Sequence, residues 1–318
     1  MIKNLMFSAA SLALMCVPMA AFGQTSGQAA KLGTELMPLG GEKAGNADGS
    51  IPAWTGGYDG PSTGPMLGDI PTGLFAGDKP IYEVTAANMS EYTGLLTDGT
   101  KALLKKYPET YKLNVYASRR TAKASDKVYA ATKTNVTNCK LTDGGNSMQG
   151  CIGGVPFPIP TEGAQLIWNY LMRVEAPSVE YVFRNIVGNA DGSHTLATKN
   201  EISFQYPFYY EGATPESFKG EYSMFRFNTL EPPFKAGESL VARDSVDPKH
   251  ARQAWQYLVG QRRVRRAPTV SYDTPDFVAS GANYFDEVQG FFGATDRFDW
   301  KLIGKKELLV PPDFSIIL

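Results

Sequence analysis

The clearest alternation of apolar and polar positions runs through residues 195–210. Ile202, Phe204, Tyr206, Phe208 and Tyr210 fall on one side of an extended chain, and Glu201, Ser203, Gln205 and Tyr209 on the other. A period of two is the mark of a strand. Pro207 lacks a backbone donor and confines its end of the run to a sheet edge or a bulge. Five large apolar or aromatic groups on one face need a wall to meet, either a packed core or a ligand cavity. A second strand-like segment, 179–187, precedes the run. The joint Gly188-Asn189-Ala190-Asp191-Gly192 carries an Asp-Gly pair that favours a tight hairpin turn. Further strands are predicted over 222–228, 238–244, 254–266 and 298–310, with a shorter one where Tyr111, Leu113 and Val115 alternate with Lys112, Asn114 and Tyr116.

Helical spacing is rarer. Thr97-Asp98 can cap a helix carrying Leu103, Leu104 and Tyr107, with Pro108 just past its end. Thr161 opens another, with Leu166, Ile167, Tyr170 and Leu171 on one face. The order of loops, a few short helices and then consecutive strands predicts an α+β protein built on an antiparallel sheet. Residues 24–87 read differently. They are rich in Gly and Pro, as in Pro52-Ala53-Trp54-Thr55-Gly56-Gly57, and predict an irregular N-terminal arm lying on a main domain of 88–318.

The first residues read as an address. Lys3 is followed by an apolar run over 5–17, shorter than the ~20 residues that span a bilayer as a helix. Ala21 and Gly23 then supply the small residues of a signal-peptide cleavage site, with the cut before Gln24. Export to the periplasm follows as the expected localisation. Removal of the leader takes Cys16 with it and leaves Cys139 and Cys151, which flank a Gly-rich loop. In an exported chain such a pair predicts one disulfide.

Composition narrows the chemistry. A formal net charge of −1 argues against a nucleic-acid binder driven by bulk charge. Two His and three Cys, unclustered, give a transition metal little to bind, and no metal or other cofactor is expected. There is no Gly-x-Ser-x-Gly elbow, His-Glu-x-x-His or phosphate-binding loop, so no catalytic residue is assigned. Gly45-Asn46-Ala47-Asp48-Gly49-Ser50 recurs as Gly188-Asn189-Ala190-Asp191-Gly192-Ser193. Both copies are good turn sequences, because Asn, Asp and Gly tolerate left-handed or side-chain-bonded conformations. The run Gln261-Arg262-Arg263-Val264-Arg265-Arg266 is unusual. As a strand it puts Arg263 and Arg265 on one face, the face of Trp255 and Tyr257 unless Gly260 shifts the phase. Arginines beside an aromatic stripe can hold an anionic head group; alternatively they form a solvated face paired with Asp296 and Asp299.

Three stretches together resemble an exported Gram-negative family known as domain of unknown function 1329. They are LGTELMPLGGEKAGNADGSIPAWTGG over 32–57, GGVPFPIPTEGAQLIWNYLMR over 153–173, and 254–307, which holds WQYLVGQRRVRRAP, YDTP and DRFDWKLIGKKE. The resemblance implies a LolA-like lipoprotein-carrier fold, a curved antiparallel half-barrel with helices over a hydrophobic cavity. It implies a periplasmic binder or carrier of a lipid or other hydrophobic molecule, and partnership with a resistance-nodulation-division exporter or an outer-membrane protein. Ile202, Phe204, Tyr206, Phe208 and Tyr210, with Trp168, Trp255 and Tyr257, would line the cavity, and Arg263 and Arg265 its polar mouth. Family members continue past the Gly-Lys-Lys-Glu segment, so the chain reads as C-terminally truncated, with strand 298–310 left at an open edge. Two other readings stand beside the carrier: an exported hydrolase with dispersed carboxylates, and an accessory subunit of an envelope complex.

Overall fold

The computed structural model describes residues 26–61, 66–67, 70–71, 73–250 and 252–310. The leader, Cys16 and the tail 311–318 lie outside the described residues. The described chain begins with α1, Ser26–Ala29, followed by turns. A two-residue ladder joins β1, Met66–Leu67, to β2, Ile70–Pro71. Next, β3, Tyr82–Val84, pairs with β4, Leu113–Val115, around α2, Asp98–Lys106. Thr97 caps α2 as expected, its hydroxyl accepting from the Thr100 amide. Val84, Leu96 and Leu104 form a small core there.

A 13-residue helix, α3, spans Asp126–Asn138. Its sequence, DKVYAATKTNVTN, is rich in residues of modest helix propensity and carries no apolar stripe, so periodicity did not mark it. Tertiary contacts hold it instead. Val136 packs on Ala29 and Leu32 of the arm, while the Asn135 side chain donates to the carbonyls of Ile152 and Val155. Beyond it, β5, Lys140–Thr142, pairs with β6, Ser147–Gln149. Cys139 and Cys151 clasp the base of this hairpin with Cα atoms 4.6 Å apart, the expected disulfide.

The helix after Thr161 is α4, Gly163–Leu171. Its buried side differs from the one predicted. Trp168 and Leu171 face the core, whereas Leu166 and Tyr170 are exposed. Gly163 explains part of this choice, because a Cβ there would stand 2.3 Å from the backbone of Trp300, so the helix start is pressed against the C-terminal segment.

The main feature is an open six-stranded antiparallel sheet: β7, Ser178–Gly188; β8, His194–Gln205; β9, Glu221–Glu231; β10, Ser239–Ser245; β11, Arg252–Leu258; and β12, Arg263–Arg266. Spatial order follows chain order throughout, so every pairing is a hairpin. The predicted segment 254–266 is two strands, with residues 259–262 as the turn. The predicted strand 298–310 does not form; this stretch is irregular and pairs with no strand. Its rings Phe298 and Trp300 pack around Phe291. Among the described residues the open edges of the sheet are therefore β7 and β12, not 298–310.

Register fixes the two faces. Phe204, Phe225, Ala242 and Ala254 stand in one cross-strand row, and Ile202, Phe227, Leu240 and Gln256 in the next. These rows are covered by residues 268–294, which carry no helix longer than one 3₁₀ turn. The opposite face bears Glu201, Ser203, Arg226, Val241, Arg243, Trp255 and Tyr257, and stays partly open to solvent. One face apolar and one polar is the ordinary economy of an antiparallel sheet.

Candidate functional site

The covered face carries a continuous path of aromatic rings. Tyr181 stacks on Phe204 at 6.4 Å between centroids, and Phe204 meets Tyr206 at 5.7 Å and Phe225 at 5.5 Å. Phe225 touches Phe292 of the cover at 5.6 Å. Phe227 meets Phe277, which in turn meets Phe285 at 5.3 Å. Pairs in this range add some 0.5–1.5 kcal/mol each beyond their area burial. With Val270, Val278 and Phe285 buried against Phe204, Phe225 and Phe227, the face is packed and not hollow.

Each end of this face is polar. At one end Asn200 donates to Thr198 and accepts from Thr229, and Thr198 donates to the Val278 carbonyl, all buried. At the other end, Ser223, Asp244 and Arg252 occupy one row of β9, β10 and β11. Arg252 and Asp244 form a two-pronged ion pair whose side chains are only 3% and 2% exposed. Arg252 also donates to the Val270 carbonyl at 3.0 Å, and its guanidinium lies 4.3 Å from the Phe292 ring centre. Burial pushes the Asp244 carboxyl above the usual range against the pull of Arg252. Ser223 Oγ, buried beside the pair, has no hydrogen-bond partner among the described residues.

A pocket of about 20 Å³ opens at this end, lined by Tyr222, Asp244, Arg252, Trp168, Thr295 and Asp296 among others. That volume accommodates about one water. Trp168 forms its floor, donating from its indole to the Gly145 carbonyl and meeting Tyr222 edge-on. Burial raises the Tyr222 phenol well above its ordinary value. Burial likewise raises Tyr206.

The residues expected to line a cavity do not form one group. Ile202 and Phe204 lie on the covered face, packed in its core and not lining a cavity, with Tyr206 at its margin. The strand stops at Gln205, and Pro207–Tyr209 is a 3₁₀ turn that breaks the period of two. Phe208 is consequently buried in a separate core with Trp168 and Leu171, and Tyr210 turns to the surface, bonding Gln205 at 2.8 Å. Trp255 and Tyr257 lie on the other face of the sheet, because Trp255 is level with Val241 and Arg226, and Tyr257 with Ser239. Nor do they share a face with Arg263 and Arg265. The hairpin sets Trp255 against Arg266, Tyr257 against Val264 and Gln256 against Arg265. All four β12 residues are exposed, and Arg265 bonds Gln261, not Asp296 or Asp299. Asp296 bonds Tyr272 instead.

Sequence reasoning missed Phe225 and Phe227, whose alternation inside a predicted strand was a usable signal. It also missed the cover, whose Phe277, Phe285 and Phe292 follow no period, and the Asp244–Arg252 pair, which exists only through strand register.

The sequence profile of the family described as Protein of unknown function (DUF1329) matches residues 83–313. An uncharacterized protein of Pseudomonas aeruginosa is 39% identical over 285 residues, covering 89% of this chain and 62% of the relative. The chain thus spans less than two thirds of that relative's length. No solved structure matches it.

Proposed function

We propose that this chain, which belongs to the family of proteins of unknown function DUF1329, binds a lipid or other hydrophobic molecule on the aromatic face of its sheet. In this reading it acts as an exported carrier in the periplasm. The observation that carries the proposal is the contrast between face and cover. A rigid ladder of strands presents Tyr181, Phe204, Phe225 and Phe227, while the segment over them is built of turns and single 3₁₀ helices. Irregular segments open at lower cost than the ladder beneath them. An apolar ligand replacing Phe277, Phe285 and Phe292 would restore the burial that their departure loses. The packed state is then the empty state, and a curved half-barrel is the ligand-bound one. The polar residues around Arg252 would meet the ligand's head group.

Ligand binding here competes with the cover, which gives a test with two opposed readouts. Phe285→Ala should destabilise the empty protein by about 3–5 kcal/mol, as expected for a buried Phe. It should also raise the affinity for a fluorescent fatty acid or detergent monomer. Lipid extraction and native mass spectrometry of protein purified from envelopes should find a bound apolar species. Protein that is always empty, together with a Phe285→Ala variant that loses stability and gains no affinity, would leave the face as ordinary core.

A further inference from the structure

The sheet's two open edges are unlike each other. The β12 edge is four residues long and is flanked or filled by Arg262, Arg263, Arg265 and Arg266, all exposed. Two copies of it laid side by side would set arginine against arginine, and clustered charge is a common device against edge-to-edge pairing. The β7 edge has no such guard. It runs eleven residues, Ser178–Gly188, and pairs on one side only, with β8. Val182 and Ile186 are each 54% exposed and Tyr181 38% exposed. Among the described residues nothing pairs with its outer backbone.

The charges on β7 are self-complementary. Glu180, Val182 and Arg184 alternate on the open face of the sheet, all exposed, and neither charge has an ion-pair partner among the described residues. In an antiparallel pair of identical strands centred on Val182, Val182 faces Val182 of the second copy. Glu180 then faces Arg184 of the second copy, and Arg184 faces its Glu180. On the covered face the same register sets Tyr181 opposite Phe183 of the second copy, twice. Opposite charges and aromatic pairs directly across a ladder each stabilise it relative to alanine. A shift by one residue would turn each strand's apolar face toward its neighbour's polar face, and a shift by two would leave Glu180 and Arg184 opposite uncharged residues, so the register is specified.

We infer that β7 is a homodimerisation edge, joining two copies of this chain into one continuous twelve-stranded antiparallel sheet through a two-fold axis at Val182. Such an interface is isologous, as most homodimer interfaces are. Edge pairing buries little area, so the dimer is weak and depends on concentration.

The test is a charge-swap cycle on the full chain, read by sedimentation velocity up to the solubility limit. The native chain should shift from monomer to dimer as concentration rises. Arg184→Glu sets Glu against Glu at two places and should raise the dissociation constant at least about tenfold. Glu180→Arg should do the same. The double variant, Glu180→Arg with Arg184→Glu, restores both opposite-charge pairs and should recover native dimerisation. Thermal unfolding of each variant checks the fold; both positions are exposed, and the midpoints should agree. A chain that stays monomeric, a dimer indifferent to Arg184→Glu, or a double variant no better than the singles would each overturn the inference.

Discussion

At the scale of single residues, the twin hexapeptides show how far local chemistry can fix structure. In both copies the Asn side chain bonds the terminal Ser hydroxyl, Asn46 to Ser50 at 2.8 Å and Asn189 to Ser193 at 2.9 Å. In both, the Asp carboxylate accepts from the Ser amide at 2.9 Å, and the Gly takes a left-handed φ, 78° at Gly49 and 83° at Gly192. The hydrogen bonds from Ser50 and Ser193 hold Asp48 and Asp191 below the usual carboxylate range. One turn sits in the arm and the other joins β7 to β8, so the same six residues make the same internal bonds in two different surroundings. The buried pair of Asp244 and Arg252 is the opposite case, made entirely by its surroundings. Asp244→Ala would leave a guanidinium buried without its counter-charge and should cost about 3–5 kcal/mol, measured by urea denaturation. Asp244→Leu combined with Arg252→Met removes both charges and should recover most of that loss.

Elements divide along the same line. The strands β7 to β11 were legible because a sheet with one covered face imposes a period of two on its sequence, and the hairpin signals at Asp191-Gly192 stand beside it. The limits of legibility are equally physical. Alternation in the letters continues past Gln205 to Tyr210, but Pro207 turns the chain, so Phe208 and Tyr210 part company with Phe204. Sequence also gives no phase for a hairpin partner, so Trp255 and Tyr257 could be assigned to strands but not to a face. Helix α3 escaped because its stability comes from Asn135 and Val136 meeting distant chain. The hairpin that follows α3 is tied by Cys139 and Cys151, and closing so short a loop is worth roughly 2–3 kcal/mol by the chain-entropy model. Replacing both cysteines by Ala should lower stability by that amount, and reductant should then have no further effect on the unfolding midpoint. A reductant-sensitive midpoint in the double variant would mean that this bond is not the redox-dependent element.

For the molecule as a whole, the phenols set an upper limit of pH. Burial raises Tyr206, Tyr209 and Tyr222 above the ordinary tyrosine value of 10.0. In the unfolded chain these groups ionise near that value, so the folded state binds more protons above it. Their contribution is complete below about pH 10 and is lost as pH rises beyond. Alkaline titration followed by circular dichroism should therefore show unfolding and tyrosinate formation together, not sequentially. Tyr222→Phe removes one ionisable group from the core and should move the transition to higher pH. An unchanged transition would place the limiting group elsewhere.

The sheet's strict chain order has a consequence for how the protein is made. Every strand of the sheet has emerged by Arg266, and each can pair with the one before it as it leaves the ribosome. The residues that cover the aromatic face, 268–294, come after them. For the interval between those two moments the nascent chain is a finished sheet with Phe204, Phe225 and Phe227 facing water, the kind of surface that chaperones hold and that aggregates if they do not. A nascent chain arrested just after Arg266 should crosslink to a holdase far more strongly than one arrested after Thr295, and the difference should shrink when Phe225 and Phe227 are made polar.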